Sequence, residues 1–225
     1  MEKNQEFTVT IEDMSEDGSG IGKLDGYIWF IKDTVIGDQV RAKAMKMKKS
    51  YGFARLMEVI TSSAFRTEPR CPAARPCGGC QLQAMKYEEL LAFKERKIKN
   101  NLRRIGGFKE EEIPMFPIIG MEDPWRYRNK AQFPFGMNKN GEIITGFYAG
   151  RTHDIIENAD CLLGVQENRG ILEIIKAFMK EYRIRPYDEK SHQGLVRHAL
   201  IRKGFKSSEI MVCLVINGKR LPHGE

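Results

Sequence analysis

The chain has 225 residues, of which 41% are hydrophobic and 30% charged, with a formal net charge of +7 at pH 7. That length admits one large domain or two small ones with a real core, and no apolar run approaches the roughly 20 residues of a membrane-spanning helix. There is no signal-peptide pattern, and an odd complement of 5 cysteines suits a reducing compartment better than a disulfide framework, so a cytoplasmic location is expected.

Residues 1–62 read as all-β. Phe7-Thr-Val-Thr-Ile11 alternates apolar and polar, Tyr27-Ile-Trp-Phe-Ile31 is β-branched and aromatic, Gln39–Lys43 alternates again, and Tyr51–Ile60 supplies a further strand. Short strands broken by glycine-rich turns predict a small OB-like barrel. Gly18-Ser-Gly20-Ile-Gly22 lacks the G-x-G-x-x-G spacing and leads into a strand, so it reads as a turn and not as a phosphate cradle. Arg41, Lys43, Lys46, Lys48, Lys49 and Arg55 fall in one acid-free stretch, which suits a phosphate backbone because each neutralised phosphate releases condensed counterions. Tyr27, Trp29 and Phe30 have the chemistry to stack on bases, but a small barrel also needs core aromatics, and the core is where all three are expected.

Residues 63–83 form a polar connector and a cysteine loop, Cys71-Pro-Ala-Ala-Arg-Pro-Cys77-Gly-Gly-Cys80, spaced C-x5-C-x2-C. A Gly-Gly turn lets the backbone curl so that flanking thiolates converge on one metal. Cys161 is the candidate fourth ligand. Four thiolates suit an iron–sulfur cluster, which the spacing favours, or a structural zinc.

Residues 84–113 carry an amphipathic helix and a linker. Tyr87, Leu90, Leu91, Ile98, Leu102 and Ile105 recur at helical spacing until Gly106-Gly107, with Lys94, Arg96, Lys97, Lys99, Arg103 and Arg104 on the solvated face. Residues 114–225 read as an incomplete α+β domain. Tyr127, Ala131, Phe133 and Phe135 are expected on one face of a strand spanning 126–135, with Arg126, Arg128, Lys130 and Gln132 on the other. Pro134 places that strand at an edge or a bulge. Asn140-Gly141 turns into a second strand over 142–148, and residues 151–156 add a third. Ile171, Ile174, Ile175, Phe178, Met179 and Tyr182 mark a second helix; residues 195–202 and 209–216 form a hairpin in which Cys213 reads as a buried, inert thiol. The 4 histidines show no metal-ligand spacing, and no catalytic constellation is visible.

The run Cys71–Gln83 with Cys161, together with residues 17–23, Trp125-Arg-Tyr-Arg-Asn-Lys-Ala-Gln132 and Gly194-Leu-Val-Arg-His-Ala-Leu-Ile-Arg202, resembles the bacterial 23S ribosomal RNA (uracil-5-)-methyltransferases nearly end to end. The resemblance implies an N-terminal TRAM barrel followed by an α+β central domain. It implies a [4Fe–4S] cluster held by Cys71, Cys77, Cys80 and Cys161, and ribosomal RNA as partner. S-adenosylmethionine would enter only in the full-length context. Phosphate contacts are expected from Lys43, Lys46, Lys48 and Lys49 and from the Arg126, Arg128 and Lys130 face. Because the family's catalytic domain follows these regions, the expectation is an N-terminal half: the RNA-binding and iron–sulfur portion of a uracil-5-methyltransferase, inactive by itself. Its apolar stripe at 87–105 would then lack a partner and favour self-association. The alternatives are a zinc- or cluster-stapled RNA-binding module without enzymatic role, a radical-SAM-type fragment, whose C-x3-C-x2-C spacing differs, and a small ferredoxin-like carrier, which leaves the basic faces unexplained.

Overall fold

The computed structural model describes residues 2–224, which fall into two compact units. One comprises the chain up to Pro69 together with Cys80–Glu122; the other comprises Arg70–Gly79 and the chain from Asp123 onward. The protein is mainly β, with a five-stranded barrel in the first unit and a five-stranded sheet with a helix in the second.

In the first unit β1 (Glu6–Met14), β2 (Gly20–Leu24), β3 (Tyr27–Ile31), β4 (Gln39–Met47) and β5 (Tyr51–Thr61) close in the order β1-β2-β3-β5-β4. Period-two alternation drives the closure: Phe7, Val9 and Ile11 point inward while Glu6, Thr8 and Thr10 face water. Every pairing is antiparallel except β3 with β5, which is parallel and sets Phe30 opposite Phe53. Trp29 fills the interior, its ring 4.6 Å from that of Phe7. Gly52 makes room for it, since a Cβ there would lie 2.4 Å from the indole. Gly18 turns at a φ of 77° within a knot of hydrogen bonds among Ser15, Asp17 and Ser19, but of the stretch read as a turn Gly20, Ile21 and Gly22 already lie in β2.

Helix α1 (Tyr87–Arg104) belongs to this unit and does pack on its sequence neighbours. Leu90 and Phe93 join Met14, Val35 and Met85 in a second apolar cluster beside the barrel. The segment after the helix returns along it, where the Ile118 amide donates to Glu95 and the Met121 amide to the Tyr87 hydroxyl. The expected apolar stripe therefore splits. Its first half is covered, while Ile98 and Ile105 remain 52% and 84% exposed.

The second unit is built on β6 (Lys130–Met137), β7 (Ile143–Tyr148), β8 (Ile155–Glu157), β9 (Val196–Lys203) and β10 (Ile210–Ile216), antiparallel throughout in the order β10-β9-β6-β7-β8. Helix α2 (Glu167–Glu181) lays Leu172, Ile175 and Met179 against Phe133, Val196, Ala199 and Ile201. Pro134 lies in the central strand, contrary to the edge or bulge expected. It is tolerated because β6 pairs with β9 up to Pro134 and with β7 from Phe135, so the missing N–H falls where the ladder changes partner. Cys213 is exposed and not buried: β10 is the edge strand, with its first four residues open to solvent. No helix among the described residues is long and apolar enough to cross a membrane.

Candidate nucleic-acid interface and the cysteine loop

The basic stretch of the barrel becomes a surface once β4 and β5 pair. Their register sets Lys43 opposite Arg55 and Lys46 opposite Phe53, and the connecting turn carries Lys48 and Lys49. Arg41, acid-free in sequence, is not free in space: it bonds Glu6 at 2.6 Å and Glu58 at 2.9 Å across the neighbouring strands. Lys43, Lys46, Lys48, Lys49 and Arg55 form no ion pair among the described residues. Unmatched cations on a strand surface repel one another, which is tolerable in water and favourable beside phosphates.

Of the three aromatics assigned to the core, the structure buries Trp29 but turns Phe30 outward. Tyr27 is half-buried, its hydroxyl donating to the carbonyls of Lys48 (2.8 Å) and Tyr51 (2.5 Å), which ties β3 to the basic hairpin. Phe30 meets Tyr51 and Phe53 on the outer face, ring centroids 5.6–5.7 Å apart. Tyr51 and Phe53 were not singled out from sequence. The available signal was parity: they alternate with inward Gly52, Ala54 and Leu56, so they share a face with Arg55.

In the second unit the expected cationic strand face does not form. The strand begins at Lys130, so Arg126 and Arg128 precede it, Arg128 in an isolated bridge with Gly164, and Tyr127 is exposed. Arg126 is occupied internally. Its guanidinium grips Asp160 through two bonds of 2.6 and 3.2 Å and donates to the carbonyls of Cys161 (3.1 Å) and Gly164 (3.3 Å). That bond holds the Asp160 carboxyl below the usual carboxylate range. These contacts offset the strain of a left-handed φ of 54° at Arg126, a cost of order 1–2 kcal/mol. Lys130 remains exposed at the start of β6.

The cysteine loop is seated by ordinary protein contacts. Cys77 bridges Ala149, the Gly78 amide donates to the Tyr148 carbonyl at 3.0 Å, and Arg70 stacks over Trp125 at 4.9 Å. Cys71 is buried and its sulfur accepts from Asn158 Nδ2 at 3.8 Å, while the Cys77 sulfur accepts from the Gly79 amide at 3.4 Å. Cys71, Cys77 and Cys161 lie in the second unit and Cys80 in the first. Among the described residues no three His, Cys, Asp or Glu side chains converge to hold a metal ion. The [4Fe–4S] cluster or zinc expected on Cys71, Cys77, Cys80 and Cys161 therefore gains no support from the described residues. The histidines pair separately, His198 with Tyr148 and His192 with Tyr187, while His153 meets Glu189.

Residues 1–57 match the TRAM domain. This TRAM barrel is the first part of a longer likeness. The chain is 44% identical over 98% of its length to an uncharacterized RNA methyltransferase of Halalkalibacterium halodurans, and 43% identical over 99% to one of Clostridium acetobutylicum. It spans about half the length of these relatives, 48% of each. Its fold matches a tRNA (uracil-54, C5)-methyltransferase of Pyrococcus abyssi, solved with S-adenosyl-L-homocysteine, at a TM-score of 0.67 and 24% identity, covering 96% of this chain and 47% of that one. These findings correct the expectation of a binding portion set apart from an enzyme. Proteins named as RNA methyltransferases align over 98% and 99% of the chain, past the TRAM barrel and through the second unit.

Proposed function

We propose that the protein is an S-adenosylmethionine-dependent RNA methyltransferase acting on C5 of uracil. The observation that carries this is the match to RNA methyltransferases over 98% of the chain, at 44% identity, joined to the fold of a uracil-C5 enzyme. Activity, methyl donor and target base are proposed for the whole protein. The sheet of the second unit is antiparallel at every pairing, and no described residue is assigned to the donor.

Within this reading Lys43, Lys46, Lys48 and Lys49 contact RNA phosphates, supported by their lack of acidic partners on the barrel surface. Lys130 and Arg128 are secondary candidates, and Arg126 acts instead as an internal clamp on the turn bearing Cys161. Ribosomal RNA is the proposed substrate class. Self-association would proceed through the exposed end of α1, where Ile98 and Ile105 lie open, and sedimentation of an Ile98→Lys, Ile105→Lys variant reads it directly. The main test is nucleoside analysis of unmodified ribosomal RNA after incubation with purified protein and S-adenosylmethionine. 5-Methyluridine is expected; methylation at another atom, or none with an intact substrate, would overturn the proposal.

A further inference from the structure

Three partly exposed aromatic rings share the outer face of the TRAM barrel with its unpaired cations. Parallel pairing of β3 with β5 sets Phe30 opposite Phe53, and Tyr51 stands edge-on to both, at interplanar angles of 88° and 83°. Tyr51 is 37% exposed, as is Met47 beside it, and its hydroxyl has no hydrogen-bond partner among the described residues. The backbone beneath is fixed by the Tyr27 hydroxyl, which holds the carbonyls of Lys48 and Tyr51 together. Lys46 is in register with Phe53, and Lys48 and Lys49 cap the same hairpin.

Aromatic faces left open on a strand surface lose apolar burial, and that loss is recovered only if something flat and apolar covers them. Cations placed around them select an occupant that is also polyanionic. Duplex RNA hides its base faces in the stack and offers this surface only phosphates and 2′-hydroxyls. An unpaired strand offers both at once: bases to stack on the rings and a backbone for the lysines. We propose that Phe30, Tyr51 and Phe53 form a stacking platform for unpaired RNA bases, with Lys46, Lys48 and Lys49 holding the backbone of the same strand. This deepens the proposed function, since it names single-stranded segments as what the barrel takes from the RNA. The target uridine would then lie in or beside an unpaired stretch.

The test is fluorescence-anisotropy titration of the full chain with an unstructured RNA of about 12 nucleotides, and with a duplex of the same length. Tyr51→Ala is expected to weaken single-strand binding by about 5- to 150-fold, the usual range for losing one stacked base. Tyr51→Phe should retain it, because the ring and not the hydroxyl makes the contact. Duplex binding should change less than about twofold in both variants. Circular dichroism confirms folding, and Phe53→Ala provides a second, independent removal of a ring. Equal losses on single strand and duplex, or none on the single strand in both folded alanine variants, would overturn the platform. Failure of the full chain to bind any RNA would overturn the platform and the phosphate contacts together, and would leave methyl transfer to its own assay. Methyl transfer is not read here, so the two proposals fail separately.

Discussion

Asp38 shows what one residue can hold. Its carboxylate is fully buried and is met by the Arg66 guanidinium, with bonds of 3.0, 3.1 and 2.6 Å, and by the amides of Val35 and Ser63. A desolvated carboxylate tolerates burial only while its partners stay. Arg66→Leu should therefore cost about 3–5 kcal/mol in urea denaturation, and Asp38→Asn in the same background should restore part of it. A loss below about 1 kcal/mol would mean that the pair does not hold the loop. His198 gives a pH dependence. Burial first, then the charge of Arg197, lowers its pKa, with Glu189 opposing, and Tyr148 lies 3.3 Å from its ring. The unfolded chain thus takes up this proton more readily than the folded one. The contribution is complete above the unfolded value of about 6.5 and is lost as pH falls through the lower folded value. Melting temperatures of wild type and His198→Gln should converge as pH drops below 6.5; parallel curves would remove His198 from the acid response.

At the scale of elements, the cysteine loop tests how a segment is seated without regular structure. Gly78 lies against β7 so closely that a Cβ would stand 2.9 Å from the Tyr148 carbonyl oxygen and 3.1 Å from the Gly150 backbone. Backbone atoms have little room to give, so Gly78→Ala should lift the loop and uncover Cys71, now buried. The expected outcome is faster reaction of Cys71 with a thiol reagent, followed by mass spectrometry, with little change in the far-ultraviolet spectrum. An unchanged rate would show that the loop is held elsewhere, by Arg70 on Trp125 or by Asn158 on Cys71. Helix α1 shows the opposite case, an element whose amphipathic pattern was plain in the sequence but whose partner was not. Leu90 and Phe93 found the flank of the barrel.

For the whole molecule, a net charge of +7 matters less than where unpaired cations gather. Arg41 and Arg126 are consumed by carboxylates, whereas Lys46, Lys48 and Lys49 are not. Replacing these three lysines by glutamine should flatten the dependence of log K on log salt by up to about 2 for a single-stranded RNA, since each phosphate contributes roughly 0.7. Binding should weaken for every sequence alike, because phosphate contacts position without specifying. An unchanged slope would remove the barrel hairpin from the interface.

Local periodicity carried much of this fold in the sequence alone. Alternation in Phe7–Ile11, the glycine turn at Gly18, helical spacing from Tyr87 and from Ile171, and the hairpin around Gly204 all depend on near neighbours, and all are present. The small barrel was legible for the same reason, whereas the likeness to RNA methyltransferases rested on the resemblance of motifs such as Cys71–Gln83. Parity turns Phe30 and Phe53 outward once Trp29 and Ala54 are taken as inward, but the expectation of core aromatics had placed Phe30 inside. What depends on residues far apart was decided only by the tertiary structure. Parallel pairing of β3 with β5 gathers the aromatic face, and Glu6 and Glu58 neutralise Arg41. Asp160 captures Arg126. β10 takes the sheet edge and exposes Cys213, and Asn158, far along the chain, donates to the Cys71 sulfur. Spacing along a chain constrains where a backbone can go; charges, rings and thiols act on whatever folding places within a few ångströms of them.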